Sequence, residues 1–316
     1  MKTSIVIPVM NDNYIYKCLG TILKNFGNKI LKNKEIIVVN DKKSNENFSK
    51  KLNEFCRLNG MKYHQAKEPG ASANRNLGME LAKGENILFT DSDCFPHNNW
   101  IKEMEKSLEK YDLVEGRISY ESKDKPLFDR LVENKSTQFR FLTANLGIKK
   151  GISKVCKFDN KFIVFREDTD FGLSVLEKGY KAVFNEKAEI FHRKGRFTIK
   201  RFIFERKRYI GEPLFLKKHI KSKHMKMHVP RFGRILHPVE LFLLGIMFVS
   251  LAYSWKLFII LYLLPGFIYC AKEYLLNKRT FNIKDTILIL ILLPLTMIIK
   301  RIYIWKGSIK FDFFVI

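Results

Sequence analysis

Two acidic segments have spacings that can do chemistry. Asp91-Ser92-Asp93 sets two carboxylates one residue apart, directly after the apolar run Asn86 to Thr90. Two carboxylates at a strand end can hold a divalent cation against a diphosphate, and hard oxygen ligands suit Mg2+ or Mn2+. Such a cation neutralises a leaving diphosphate as a Lewis acid, without moving a proton. Downstream, Arg166-Glu167-Asp168-Thr169-Asp170 gathers three carboxylates. The plain reading of that run is a helix start, where the dipole favours acids. A carboxylate there can also take a proton from an attacking hydroxyl. Alone, Asp-x-Asp is a weak signal, because any acidic surface loop can produce it.

These groups need a frame to position them. Ser4 to Val9 predicts a buried strand, and about 14–25 a helix. Glu35 to Val39 predicts a second strand ending at Asn40-Asp41. Ser44 to Leu58 suits a helix with Ser44 as N-cap. Met61 to His64 reads as a short strand, Ala73 to Ala82 as a helix closed by Gly84, and Asn86 to Thr90 as a strand. This alternation implies an α/β fold with a mostly parallel sheet covered on both faces. Ligands of such sheets bind beyond the carboxyl ends of the strands. Asn11, Asp41 and Asp91 all follow such ends.

Composition narrows the partners. Lys and Arg number 57 against 32 Asp and Glu, a formal charge of +25. That excess calls for an acidic partner. With 46% hydrophobic and 13% aromatic residues the chain is no basic disordered tail. No zinc-finger spacing or RNA-binding aromatic signature is present, so nucleic acid is not expected. An anionic membrane surface and a phosphate-bearing substrate fit better. The five cysteines, Cys18, Cys56, Cys94, Cys156 and Cys270, are odd in number and widely spaced. They suggest reduced thiols facing the cytosol. The opening apolar run stops at Asn11-Asp12 and is too short for a signal peptide.

The last third changes character. Arg193 to Arg234 is basic and aromatic, and Pro238 to Ala271 is almost wholly apolar, broken at Ser254-Trp255-Lys256. About 20 apolar residues span a bilayer, so this region suits a helical hairpin. Arg231, Arg234, Lys272, Lys278 and Arg279 would share the cytoplasmic side, with the basic stretch Lys194 to Lys226 near anionic head groups, and Lys256 would snorkel at the other. A second run, Thr286 to Ile299, contains Pro294 and is flanked by Lys284 and by Lys300-Arg301. Basic flanks at both ends suggest a re-entrant or interfacial segment. The alternative is a set of core helices in a soluble domain.

Four segments, in order, resemble the inverting family 2 glycosyltransferases, which have the GT-A fold. Ser4-Ile5-Val6-Ile7-Pro8 with Asn11 looks like that family's opening strand. Val38-Val39-Asn40-Asp41 looks like its Val-Val-Asp-Asp-Gly-Ser segment, although Lys42-Lys43 replaces the glycine. Gly70 to Gly78 is close to Gly-x-x-x-Ala-Arg-Asn-x-Gly. Gly84 to Asp93 matches the block that ends in Asp-x-Asp. The resemblance covers residues 2 to about 210. It implies donor contacts at Pro8, Asn11, Asp41, Arg75, Asn76 and Asp91, and a divalent metal, Mn2+ or Mg2+, at Asp91 and Asp93. Arg166 to Asp170 looks like the Glu-Asp-x-Asp-Leu segment, with Phe171 for Leu. By that likeness Asp168 is the general base, with Glu167 and Asp170 on the acceptor side. His192 follows an expected strand, Ala188 to Phe191, and resembles the family's late histidine, as a third metal ligand, a diphosphate contact or a structural residue. Glu205 to Tyr209 resembles Gln-x-x-Arg-Trp, with Arg208 either on the diphosphate or in a basic helix against lipid head groups. Cys156-Lys157-Phe158-Asp159 departs from the usual Gly-Gly-Phe-Asp.

The expectation is therefore a GT-A-type domain at 1–210, a basic juxtamembrane linker at 211–237 and a membrane-associated region at 238–316. The expected reaction moves a sugar, with inversion, from a nucleotide-sugar to a lipid-linked or other membrane-held hydroxyl. It takes place at the cytoplasmic face of the cell membrane, with anionic lipid as a further partner. Two alternatives compete: an inactive membrane scaffold, and a nucleotidyltransferase on a related α/β fold. The intact acids argue against the first, and the lack of an early Gly-rich phosphate loop against the second.

Overall fold

The computed structural model describes residues 2–26, 33–120, 124–130, 132–134, 139–162, 165–225, 242 and 244–315. Lys226, Arg231, Arg234 and Pro238, named above, lie outside the described residues. The chain forms two compact units. One comprises Met1–Tyr120, Val132–Arg193 and Ser222–His228; the other comprises Glu121–Leu131, Lys194–Lys221 and Val229–Ile316. All five cysteines are buried, unpaired thiols.

The first unit is built on an eight-stranded sheet. Its strands are β1 (Thr3–Val9), β2 (Lys34–Asn40), β3 (Lys62–Gln65), β4 (Asn86–Thr90), β5 (Cys94–Pro96), β6 (Leu113–Ser119), β8 (Asn145–Lys149) and β9 (Ala182–His192). The two-residue strand β7 (Asp129–Arg130) belongs to the second unit. The order is β3-β2-β1-β4-β8-β6-β9-β5. β1 lies parallel to β2 and β4, β2 to β3, and β6 to β9, whereas β8 runs antiparallel to β4 and β6. All seven residues of β1 are buried, as a strand covered on both faces requires.

Alternation divides the apolar side chains between two layers. Ile5, Ile7, Ile36, Val38 and Leu88 pack with α1 (Tyr14–Phe26), α2 (Glu46–Leu58) and the helix Trp100–Lys110. Val6, Ile37, Val39 and Phe89 pack with α3 (Ala71–Leu81) and with Phe171 and Val175 of a later helix. Gly78 brings α3 onto β1, since a Cβ there would lie 2.2 Å from Val6 Cγ1.

Two details differ from expectation. The cap of α2 is Asn45, whose Oδ1 accepts from Phe48 N at 2.8 Å. Ser44 instead donates its backbone N–H to Asp41 O in the preceding turn. The strand expected at Ala188 to Phe191 is the second half of the longer β9. A register shift against β6 at Gly116/Arg117 separates the halves. A Cβ at Gly116 would lie 2.4 Å from Ala188 O, so the shift needs glycine.

In the second unit, β7 pairs with β10 (Gly195–Arg196). Apolar helices cover Leu244–Tyr253, Trp255–Leu275 and Ile283–Phe311. The last two are long and apolar enough to cross a membrane by length and composition. The break falls at Ser254, whose Oγ caps the second of these helices. The run Thr286 to Ile299 lies within one 29-residue helix that continues to Phe311. Packing explains the extension: Arg301, Ile304, Gly307 and Ser308 are buried, and a Cβ on Gly307 would lie 2.2 Å from Ile210 O. Pro294 interrupts the backbone ladder inside this helix, and Tyr262 Oη donates to the nearby Ile291 O at 2.8 Å.

Candidate active site

The parallel strands bring their following loops to one edge of the first unit, and Arg75 lies at the centre of the acidic residues there. It is 4% exposed on α3. Its Nη2 donates to Asp91 Oδ1 at 3.1 Å. Its Nη1 lies 3.5 Å from both Glu167 Oε1 and Asp168 Oδ1. One buried cation thus joins the Asp-x-Asp segment to the second acidic segment. Burial lowers the Arg75 pKa, but Asp168, Asp91 and Glu167 outweigh it and hold the guanidinium protonated.

The second segment is a helix start, as its plain reading has it, and it also faces Arg75. Glu167, Asp168 and Asp170 form the first turn of the helix Glu167–Glu177. Asp170 is buried within that turn. Besides Arg75, Thr143 holds Asp168 twice: it donates its Oγ1–H to Oδ1 at 2.9 Å and its N–H to Oδ2 at 3.2 Å. Burial raises the Asp168 pKa; Arg75 and Thr143 oppose the rise, Asp91 adds to it, and the net shift is upward. Burial, then Asp168, push Glu167 up to about 7 against the pull of Arg75. Phe171, where the likeness has Leu, stacks on Phe158 with centroids 4.1 Å apart.

Strand pairing brings the other acidic residue to the late histidine. β5 runs antiparallel to β9, opposing Cys94 to His192. His192 Nε2 lies 3.6 Å from Asp93 Oδ1. His192 Nδ1 is 2.9 Å from Arg193 O and must donate there, because a carbonyl only accepts. With Nδ1 used in that bond, Nε2 is the ring atom that faces the Asp93 carboxylate. Asp93, Cys94 and His192 offer ligand atoms within 4.8 Å of one another. Burial raises the Cys94 thiol well above its usual range, so it stays a neutral thiol and a poor ligand. Asp93 is raised by burial first, with His192 and Arg193 opposing. With the thiol set aside, one carboxylate and one imidazole remain, a pair that suits a borderline divalent cation; Asp91, the other expected ligand, is outside this cluster and accepts from Arg75.

Several expected donor residues are engaged within the chain. Asp41 is 2% exposed. Its carboxylate accepts from Lys43 N at 2.8 Å, Gly70 N at 2.7 Å and Asn74 Nδ2 at 3.1 Å. Asn76 exchanges two hydrogen bonds with the Phe158 backbone, at 2.8 and 2.9 Å. Pro8 is buried past the last β1–β4 pair, Val6–Phe89, where a missing N–H is tolerated. Asn11 is exposed in a left-handed turn (φ 49°), and its Oδ1 accepts from Asn45 N and Nδ2. Asn11 also lines a cavity of about 620 Å³ with Asn13, Tyr16, Phe48 and Phe55. That cavity is on the α1–α2 side, away from the chemistry-bearing carboxylates. Arg208 belongs to the second unit, 3.8 Å from Glu205.

Three residues of the edge escaped sequence reasoning. Thr143 has no local motif. Arg193 directly follows His192, lies 3.5 Å from Asp93 Oδ2, and covers the Tyr14 ring at 4.1 Å. Asp12 accepts from Ser92 Oγ at 3.1 Å.

Sheet order and site together define the class, a GT-A-type glycosyltransferase. Residues 4–169, more than half of the chain, match the profile of Glycosyl transferase family 2, and the chain belongs to that family. Residues 91–298 also match Glycosyl transferase family group 2. Glycosyltransferase GlyA of Streptococcus pneumoniae is 31% identical over 112 residues, 35% of this chain and 15% of that protein. Glycosyltransferase GlyG of the same species is 31% identical over 112 residues, 34% of this chain and 36% of that protein. The matches thus span only a minor part of these relatives' lengths. The crystal structure of S. aureus TarS 1-349 matches 99% of this chain and 92% of that chain at 15% identity, with a TM-score of 0.50. GalNAc-T7, solved with UDP, GalNAc and Mn2+, matches 73% of this chain and 58% of that chain at 15% identity, with a TM-score of 0.52. These two likenesses establish the fold.

Proposed function

We propose that the protein transfers a sugar, with inversion, from a nucleotide-diphosphate sugar to a hydroxyl acceptor held at a membrane, with Asp168 as general base. The observation that carries this reading is the bridge through Arg75. It keeps the Asp-x-Asp segment and the candidate base within the span of one guanidinium. Asp91, Asp93 and His192 would hold the divalent cation, which supplies the charge that neutralises the departing diphosphate. Asp168 Oδ2 accepts one hydrogen bond in the chain and keeps a lone pair for the acceptor hydroxyl. Its raised pKa makes it a stronger base near neutral pH. Arg75 holds this carboxylate in place until the acceptor arrives. Asp41 and Asn76 shape the donor side by fixing the Gly70 turn and the Phe158 loop; Pro8 and Asn11 complete its wall. Glu167 and Asp170 border the acceptor side.

The membrane part of the reading rests on exposed apolar surface. Trp255, Ile260, Phe267 and Ile268 of the 21-residue helix are all more than half exposed. The 29-residue helix has one face buried along its length and an exposed stripe at Ile287, Ile291, Leu295, Ile302, Trp305 and Ile309. That exposed apolar stripe supports contact with a bilayer, as a re-entrant or interfacial segment. Lysines and arginines from Lys194 to Lys223 would face anionic head groups on the cytoplasmic side, each worth about 1 kcal/mol near the surface. Arg208 fits that basic face, with the donor diphosphate as its other candidate partner. A relative named poly(ribitol-phosphate) beta-glucosyltransferase, from Bacillus spizizenii, supports sugar transfer to a hydroxyl of a larger acceptor.

The test is a panel of nucleotide sugars offered to detergent-solubilised protein with Mn2+. Release of a nucleoside diphosphate that stops in excess chelator is expected. Release of pyrophosphate would point to nucleotidyl transfer. No release with any donor would point to an inactive scaffold.

A further inference from the structure

We infer that Glu115 is a positioning residue for Asp168, acting through the segment Arg140 to Thr143; this rests on Asp168 being the base. Glu115 lies mid-strand in β6, between β8 and β9, and is 0% exposed. A carboxylate in the centre of a sheet is costly unless donors meet it. Here four N–H groups converge on it. Asn134 Nδ2 donates to Oε1 at 3.0 Å, Arg140 N and Phe141 N each donate to Oε2 at 2.9 Å, and Leu142 N donates to Oε1 at 3.4 Å. Three consecutive backbone amides thus take their partner from one side chain instead of a neighbouring strand. The next residue is Thr143, whose N–H and Oγ1–H both hold Asp168.

The same segment is clamped from the other side. Gly172, in the helix that carries Asp168, lies so close to Phe141 that a Cβ would be 2.0 Å from Phe141 Cγ. Glu115 fixes one face of the segment, and the helix of Asp168 rests on the other. The orientation of the base is therefore set by a buried acid 53 positions earlier in the chain.

Glu115→Gln keeps the shape but turns an NH2 group toward an amide donor, which loosens the segment. The expected result is a kcat lowered roughly 10- to 100-fold, since a misplacement of about 1 Å costs on that order. Donor KM and Mn2+ affinity should stay within about twofold. The acid limb of the kcat–pH profile should move up, because Thr143 no longer favours ionised Asp168. The other groups facing Asp168 (Arg75, Asp91 and Glu167) are unchanged. Thr143→Val should give the same signature, and Thr143→Ser should restore it. The double variant Glu115→Gln/Thr143→Val should be no slower than Glu115→Gln by more than about threefold, because the two act in series. Multiplying effects, or a loss of donor binding in step with kcat, would overturn the inference. Should Glu115→Gln not fold, Asn134→Ala removes one donor from Glu115 and should show the same pattern at smaller size. Asp168→Asn is the control: if it stays active, the base reading fails and this inference fails with it. If it is inactive while the pair multiplies, only the positioning fails.

Discussion

Replacing Arg75 by Met should destabilise the protein most at alkaline pH. The guanidinium is the only cation within 3.5 Å of Asp91, Glu167 and Asp168 among the described residues. Glu167 and Asp168 are only 12% and 19% exposed at the side chain, so their charges are poorly solvated once Arg75 is gone. Asp91 is 31% exposed, and water screens much of its share. Removing one partner of a buried ion pair costs about 3–5 kcal/mol. For a unit of this size that is a melting temperature lower by roughly 6–20 °C. The sign with pH follows from the shifts. Burial already raises Glu167 from its ordinary 4.5 to about 7 while Arg75 opposes the rise. Without Arg75 both carboxyls rise further. A carboxyl raised in the fold costs stability only when ionised. The deficit therefore opens as pH climbs past the unfolded value, and it is complete only above the folded value, beyond about 7 in the variant. Thermal unfolding in chelator at pH 5.5 and pH 8.5 reads it directly. A deficit equal at both pH values, or larger at pH 5.5, would refute the electrostatic account of Arg75.

Three further outcomes are expected. Asp93→Asn should weaken Mn2+ binding, read by electron paramagnetic resonance of free Mn2+, by roughly 10- to 100-fold while the melting temperature stays within about 2 °C; unchanged affinity would remove Asp93 from the metal site. Gly172→Ala should cost at least about 2 kcal/mol by forcing Phe141 out of place, read by denaturant midpoint, and a neutral result would show that the helix can slide. A single cysteine at Lys278 should be labelled from the cytoplasmic side of sealed vesicles, with little background because all five native thiols are buried; labelling only from the other side would reverse the proposed topology.

The parallel half of the fold was legible because its central strands, β1, β2 and β4, are buried on both faces. Runs such as Ile5-Val6-Ile7 and Ile87-Leu88-Phe89 have no polar member, and polar loop residues follow within a few positions, at Asn11 and Asp91. The break at Ser254 was legible too, since a capping residue interrupts an apolar run. The antiparallel strands β6 and β8 were not. Glu115 and Gly116 interrupt one and Asn145 and Gly147 the other, and their partners are distant in sequence. Thr143 carries no local signal, because its role depends on Asp168, 25 residues away. Asp41 and Asn76 show a further limit. Sequence reveals that a polar side chain stands at a strand end or on a helix, but not whether its hydrogen bonds go to a ligand or to the backbone of Gly70 and Phe158. The cap of α2 moved by one residue because Ser44 and Asn45 are both good caps, and only the Asp41 turn decides between them.

The central claim is that Asp168 takes the acceptor proton while the donor is held by other residues. Asp168→Asn, assayed beside the wild type with the active donor, tests it most directly. Sugar transfer should fall roughly 10²- to 10⁴-fold, the range that general-base catalysis supplies. Donor affinity, measured by calorimetry with Mn2+, should stay within about twofold. Transfer at the wild-type rate, or donor affinity falling as far as turnover does, would contradict the account.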